Sequence, residues 1–258
     1  MSVKKGSPDR FGYEWNEYSE IIPIHEEQFH RWTPFLEPKD FDGTTFLDVG
    51  CGMGRNSYWP MQYGAKGGSA IDVNEKSLTQ ARRNLASYPA VSVEFMSADA
   101  IRYENMFDIV FSIGVIHHLE HPQRALQEMT KAAKPGGKVA IWVYGYENNE
   151  WVIRYINPLR KALFSRLPVT WTHFLSLFPA ILLYIFLHLG GGRIEYLRLA
   201  RSFSFRHLRS IVFDQMLPVI ANYWTQEEVR ALMEGAHLKN IRLQQVNDMS
   251  WAAIGEKG

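Results

Sequence analysis

FLDVGCGMGRNSYW, residues 46–59, sets an aspartate and three alternating glycines directly behind a short apolar run. Gly50, Gly52 and Gly54 fall at every second position, just where a strand should end. Glycine serves where backbone must turn sharply or lie flat against another group. The spacing G-x-G-x-G also differs from the G-x-G-x-x-G that brings a pyrophosphate to a helix N-terminus. Asp48 stands immediately before the loop, which suits a ligand carrying positive charge.

Working outward, strand and helix signals alternate. TTFLDV, GGSAIDV, VSVEFMSAD, FDIVFSI and KVAIWVYG read as five strands. FDIVFSI is apolar throughout, as expected of a strand covered on both faces. NEKSLTQARRNLASY reads as a helix capped by Asn74, and PQRALQEMTKAAK as a helix that PGG ends before the fifth strand. Such alternation predicts an α/β chain with a doubly wound, mostly parallel sheet. TQEEVRALMEGA, capped by Thr225, precedes LKNIRLQQV and MSWAAIG, which read as a hairpin across Asn247-Asp248. Ligands of such sheets bind at the carboxyl ends of the strands. Asp72 closes the second strand, where a carboxylate can accept both hydroxyls of a ribose. Asp99 closes the third.

With 258 residues and a net charge of +1, the chain has room for one large domain and an elaboration. Near-neutrality gives no support to general nucleic-acid binding. The single cysteine, Cys51, excludes an internal disulfide, and its place in the glycine run argues against a metal site. MSVKKGSPDRFGYEWNEY has no apolar core behind its lysines, so a cytoplasmic rather than secreted protein is expected.

DVGCGMGR, AIDV, SADA, FDIVFSIGVIHHL and KPGGKVAIWV, in that order, resemble the successive motifs of class I S-adenosylmethionine-dependent methyltransferases. The resemblance spans about residues 44–144. It implies a seven-stranded sheet whose last strand is antiparallel, with a helical insertion between strands 5 and 6. The implied organisation is an N-terminal helical cap (1–43), a cofactor-binding core (44–144), a helical lid (145–220) and a closing helix and hairpin (221–258). Carried over by position, Asp48, Gly50, Cys51, Gly52 and Gly54 would hold the methionine half of S-adenosylmethionine. Asp72 would bind the ribose and Val73 cover the adenine. Ala98, Asp99 and Ala100 would meet the adenine edge, and Ser112 and Ile113 would line the passage to the sulfonium.

A hydroxyl acceptor needs a base, and histidine titrates near neutrality. The fourth motif ends in a histidine pair; the resemblance implies one of the two as the base, His117 favoured over His118, with His118 otherwise beside the substrate. Tyr13 and Trp15 in FGYEWNEY, and Tyr144 after the fifth strand, are further pocket candidates. FDQMLPVIANYW loosely resembles a substrate segment of related enzymes, which adds Asp214 and Tyr223. A small-molecule O-methyltransferase producing S-adenosylhomocysteine is the first expectation. A quinone or isoprenoid C-methyltransferase and a non-catalytic binding module stay open beside it. The fourth strand lacks the turn of adenine N-methyltransferases, and no cysteine is left for pyrimidine chemistry, so nucleic acid is not the expected partner.

From 151 to 213 the charged residues are Arg154, Arg160, Lys161, Arg166, Arg193, Arg198, Arg201, Arg206 and Arg209, with Glu195 the only acid. Apolar FLSLFPAILLYIFL lies among them. A lid with solvated arginines, peripheral membrane contact, an anion pocket and oligomer contact are the readings that compete.

Overall fold

A computed structural model describes residues 7–191 and 195–258; Gly192, Arg193 and Ile194 of the basic segment lie outside the described residues. Seven strands form one sheet: β1 (Thr45–Val49), β2 (Gly67–Asp72), β3 (Val91–Phe95), β4 (Phe107–Ile113), β5 (Ala133–Tyr144), β6 (Leu238–Val246) and β7 (Ser250–Lys257). Their order is β3-β2-β1-β4-β5-β7-β6, and β7 alone runs antiparallel to its neighbours. The expected doubly wound, seven-stranded α/β sheet is therefore the observed one. Strand order reverses at β1, which lies between β2 and β4, so a crevice opens beyond their carboxyl ends.

Alternate strand residues feed two cores. Leu47, Val110 and Val139 meet α6 (Pro122–Ala132) and α12 (Gln226–Glu234) on one face. Phe46, Phe111 and Ala140 meet α2 (Ile24–Trp32), α3 (Pro38–Phe41), α4 (Arg55–Gln62) and α5 (Glu75–Asn84) on the other. Local chemistry sets the ends of these elements. The Asn74 side chain accepts from the backbone N–H of Lys76 and Ser77, and Thr225 and Glu228 form a reciprocal capping box. Asn247 and Asp248 take φ of 55° and 63°, the left-handed pair that a two-residue hairpin turn requires.

Two boundaries differ from the sequence reading. The third strand stops at Phe95, and Met96 starts the descent into the cavity wall. Pro135-Gly136-Gly137 lies inside β5 rather than before it. Phe107 pairs with Ala133 while Ile109 pairs with Lys138, so the extra residues bulge out of the ladder with Gly136 at φ 73°. Asn157-Pro158 lies inside a longer helical run. That run begins at Glu150 and passes through α7 (Asn157–Leu159), flanked by wide turns at Val152–Ile156 and Arg160–Phe164. Such widened turns accommodate a proline that lacks its N–H.

The rest of the insertion comprises α8 (Val169–Leu175), α9 (Leu177–His188), α10 (Glu195–Ala200) and α11 (Phe205–Met216). Leu187, Ala200, Phe203 and Leu208 form its small core. The N-terminal α1 (Ser7–Glu17) bridges insertion and sheet. Towards the insertion, Arg10 donates to Leu217 O, Leu167 O, Phe164 O and Thr172 Oγ1 at 2.8–3.1 Å. Towards the sheet, a Cβ on Gly12 would stand 2.2 Å from Asn74 Oδ1, so only glycine permits that approach.

Candidate active site

A cavity of about 1170 Å³ lies beyond the carboxyl ends of β1 to β4, with α1 as its roof and the insertion as its far wall. At the sheet end, Gly50 and Cys51 donate their N–H to Ile71 O at 2.8 and 3.0 Å, which presses the glycine loop against β2. Gly50 and Gly52 sit at φ 80° and 53°, in the region that glycine tolerates best. A Cβ on Gly52 would come within 2.9 Å of Trp15 Nε1, and one on Gly50 within 2.4 Å of Val115. Asp72 Oδ2 accepts from Gly52 N at 3.0 Å and Oδ1 from Asn74 N at 2.9 Å. Burial raises its pKa and these backbone donors oppose the rise. Each carboxylate oxygen keeps a further lone pair. Ala98 and Asp99 line the next stretch of wall, on a turn closed by Ala100 N donating to Ser97 O.

The opposite end is aromatic and charged. His118 lines the cavity and donates from Nδ1 to Ile220 O at 2.8 Å. That bond assigns the Nδ1–H tautomer and leaves the lone pair on Nε2. Burial lowers its pKa to about 4, against the opposing pull of the Ile220 bond, so the imidazole is neutral at pH 7. Arg55 lies between Trp15 and Trp32, its guanidinium carbon 5.1 Å from each ring centre. Nearby, Glu14 and Asp214 face one another. Burial and the Asp214 charge raise Glu14 well above the usual carboxyl range, and burial raises Asp214 to about 6. Glu14 is thus the protonated partner and donates to Asp214. Tyr144 holds the same corner, its hydroxyl accepting from Gln215 Nε2 at 2.8 Å.

The glycine backbone, the ribose-ready carboxylate and the Ala98–Asp99 turn fit the amino-acid, sugar and adenine parts of S-adenosylmethionine. Residues 47–141 match the family described as "Methyltransferase domain". That stretch is a class I S-adenosylmethionine-dependent methyltransferase domain. The chain is 34% identical over 131 residues to the ubiquinone biosynthesis O-methyltransferase of Azoarcus sp. (strain BH72), covering 48% of this chain and 54% of that one. It is 29% identical over 159 residues to the tRNA U34 carboxymethyltransferase of Idiomarina loihiensis, covering 58% and 46%. The chain thus spans about half the length of the curated relatives it matches. A solved SAM-dependent methyltransferase from Aquifex aeolicus shares its fold, with a TM-score of 0.55, 18% identity and coverage of 92% and 95%.

Of the site residues expected from the sequence, the cavity brings together Gly50, Cys51, Gly52, Asp72, Val73, Ala98, Asp99, Ile113, Trp15, His118, Tyr144, Asp214 and Tyr223. Six stand behind its wall. Gly54 caps α4 and packs on Leu85, and Ser112 Oγ ties β4 to Val49 O. Ala100 only closes its turn. Asp48 is buried, with Oδ2 accepting from Ser57 Oγ at 2.7 Å; burial raises its pKa to about 7. Tyr13 points into the insertion, with its hydroxyl 3.4 Å from His173 Nδ1. His117 is fully buried against Tyr144, and neither ring nitrogen has a hydrogen-bond partner.

Glu14, Arg55, Trp32 and Arg160 were missed. A signal existed for α1: Pro8, Phe11 and Trp15 lie at helical spacing on one face, all against the cavity, and Tyr13 is about 200° from Trp15. No comparable signal marked Arg55 or Arg160, whose places depend on tertiary packing.

Proposed function

We propose that the protein methylates a hydroxyl of a small, largely apolar acceptor, with His118 rather than His117 taking the proton. The observation that carries this reading is the bond from His118 Nδ1 to Ile220 O. It presents a neutral imidazole with its Nε2 lone pair at the cavity end, the arrangement a general base needs. His117, its nitrogens buried and away from the wall, has no route to an acceptor.

S-adenosylmethionine supplies a methyl on a positively charged sulfur. In-line displacement then needs alignment and exclusion of water. The glycine loop and Asp72 would hold the cofactor, and α1 covers that end of the cavity with Phe11 and Trp15. An acceptor oxygen becomes strongly acidic as it gains a methyl. A base with a pKa near 4 is therefore sufficient, and His118 Nε2 takes the proton as the O–H bond breaks. The insertion's Leu159, Phe164, Leu183 and Val212 make the acceptor wall apolar. Arg55, the Glu14–Asp214 pair and Tyr223 supply polar anchors within it. A curated relative is named an O-methyltransferase of ubiquinone biosynthesis, which agrees with a hydroxyl on an apolar molecule.

The experiment is incubation with methyl-labelled cofactor and small-molecule extracts, comparing wild type with His118→Asn and His117→Phe. Label on an ether oxygen, lost only in His118→Asn, is the expected outcome. Label on carbon, or loss confined to His117→Phe, would contradict it.

A further inference from the structure

The segment Val169–His188 is long and apolar enough to cross a membrane, with a mean hydropathy of 1.6. Its inner side is nonetheless fixed to the domain. Ala180 and Leu187 are fully buried, and Pro179 and Leu183 help wall the cavity. Thr172 Oγ1 accepts from Arg10, and Ser176 Oγ from Arg209. A spanning helix would have to abandon all of these contacts. The outer side is a different surface. Trp171, Phe174, Phe178, Leu182, Phe186 and Leu189 form one stripe along α8 and α9, each more than half exposed and Leu189 at 83%. A helix apolar all round is normally covered on every side.

The charge around the stripe identifies what covers it. Lys161 and exposed Arg166 precede α8. Beyond α9, Arg201 donates to Gly191 O at 2.7 Å, which holds it at the far end of the stripe, with exposed Arg198 nearby. Glu195, the only acid from 151 to 213, is neutralised by Arg31 at 3.0 Å. A second copy of this chain would meet cations with cations. An anionic bilayer offers both an apolar interior for the rings and negative headgroups for the arginines.

We infer that α8 and α9 lie flat in the surface of an anionic lipid bilayer, with the acceptor wall of the cavity directly behind them. Pro179 and Leu183 face the cavity from the helix whose other side meets lipid. An amphiphilic acceptor would then have only the thickness of one helix between membrane and site.

The test is co-sedimentation with vesicles of phosphatidylcholine and phosphatidylglycerol at about three to one, against pure phosphatidylcholine. Wild type should pellet with the anionic vesicles at low salt and be partly released at high salt. Leu182→Glu with Phe186→Glu, both outside the cavity wall, should weaken binding by about tenfold or more with circular dichroism unchanged. Wild type remaining in the supernatant at low salt would overturn the inference. So would pelleting that the double variant does not reduce, or a stable dimer that the variant dissociates and that does not bind vesicles. Vesicle binding is read without turnover, so this result and the methyl-transfer result stand or fall separately.

Discussion

The imidazole of His117 lies against the ring of Tyr144, with centroids 3.9 Å apart and planes inclined by 31°. This contact uses the histidine as a flat packing element. Replacement by Phe should keep the stacked ring and remove two buried polar atoms that lack partners. His117→Phe is expected to hold turnover within about threefold and not to lower the Tm. His118→Asn should lose turnover by about a hundredfold or more while cofactor affinity stays within about threefold. Initial rates and calorimetry on the same preparations separate the two.

Acid should affect activity late. With His118 at about 4, kcat/KM should stay level from neutrality to about pH 5 and fall below it as Nε2 takes a proton. Stability carries the same sign at this group. A folded pKa of about 4, below the ordinary 6.5, contributes stability present above 6.5 and lost as pH falls through 4. The Tm difference between wild type and His118→Asn should therefore shift against wild type as pH is lowered through that window. Asp214, raised to about 6, acts oppositely: its contribution is present below 3.8 and lost as pH rises through 6. Asp214→Asn should accordingly gain Tm relative to wild type between about pH 4 and 7.

The strand ends and the glycine loop were legible because their signals are local: an apolar run, a glycine pattern, an acid two residues from a turn. The histidine pair was not separable in this way. Ile116–His118 form a tight three-residue turn, in which neighbours differ by about 120° and nothing in the sequence sets the phase. One histidine consequently enters the core and the other the cavity. Glu14 and Arg55 escaped for a different reason. Arg55 is held between Trp15 of α1 and Trp32 of α2, residues remote from it in the chain. The insertion's α9 is apolar on both of its sides, so its sequence does not say which side the domain covers; the outer one is exposed.

Arg10 joins the roof of the cavity to the insertion through four hydrogen bonds, three of them to carbonyl oxygens. Arg10→Ala removes all four bonds, leaving Phe164 O only its longer bond from Thr172 Oγ1, and should cost about 2–4 kcal/mol. For a chain of this size that is a fall of about 4–16 °C in Tm. Faster proteolysis within α1 is expected alongside.

Gly12 sits so close to Asn74 that a methyl group cannot be accommodated. Gly12→Val should push α1 away from the cofactor loop. Cofactor dissociation should accelerate by about tenfold or more in stopped-flow fluorescence, with the far-UV spectrum unchanged.

Methyl transfer by this chain requires a sulfonium nucleoside in the crevice beyond the carboxyl ends of β1 and β4. Isothermal titration of the folded wild-type chain with S-adenosylhomocysteine tests this without any acceptor. One site with a Kd of about 1–100 μM, weakened at least tenfold by Asp72→Ala, is the predicted result. No heat from a sample whose circular dichroism and melting are those of a folded protein would contradict the account.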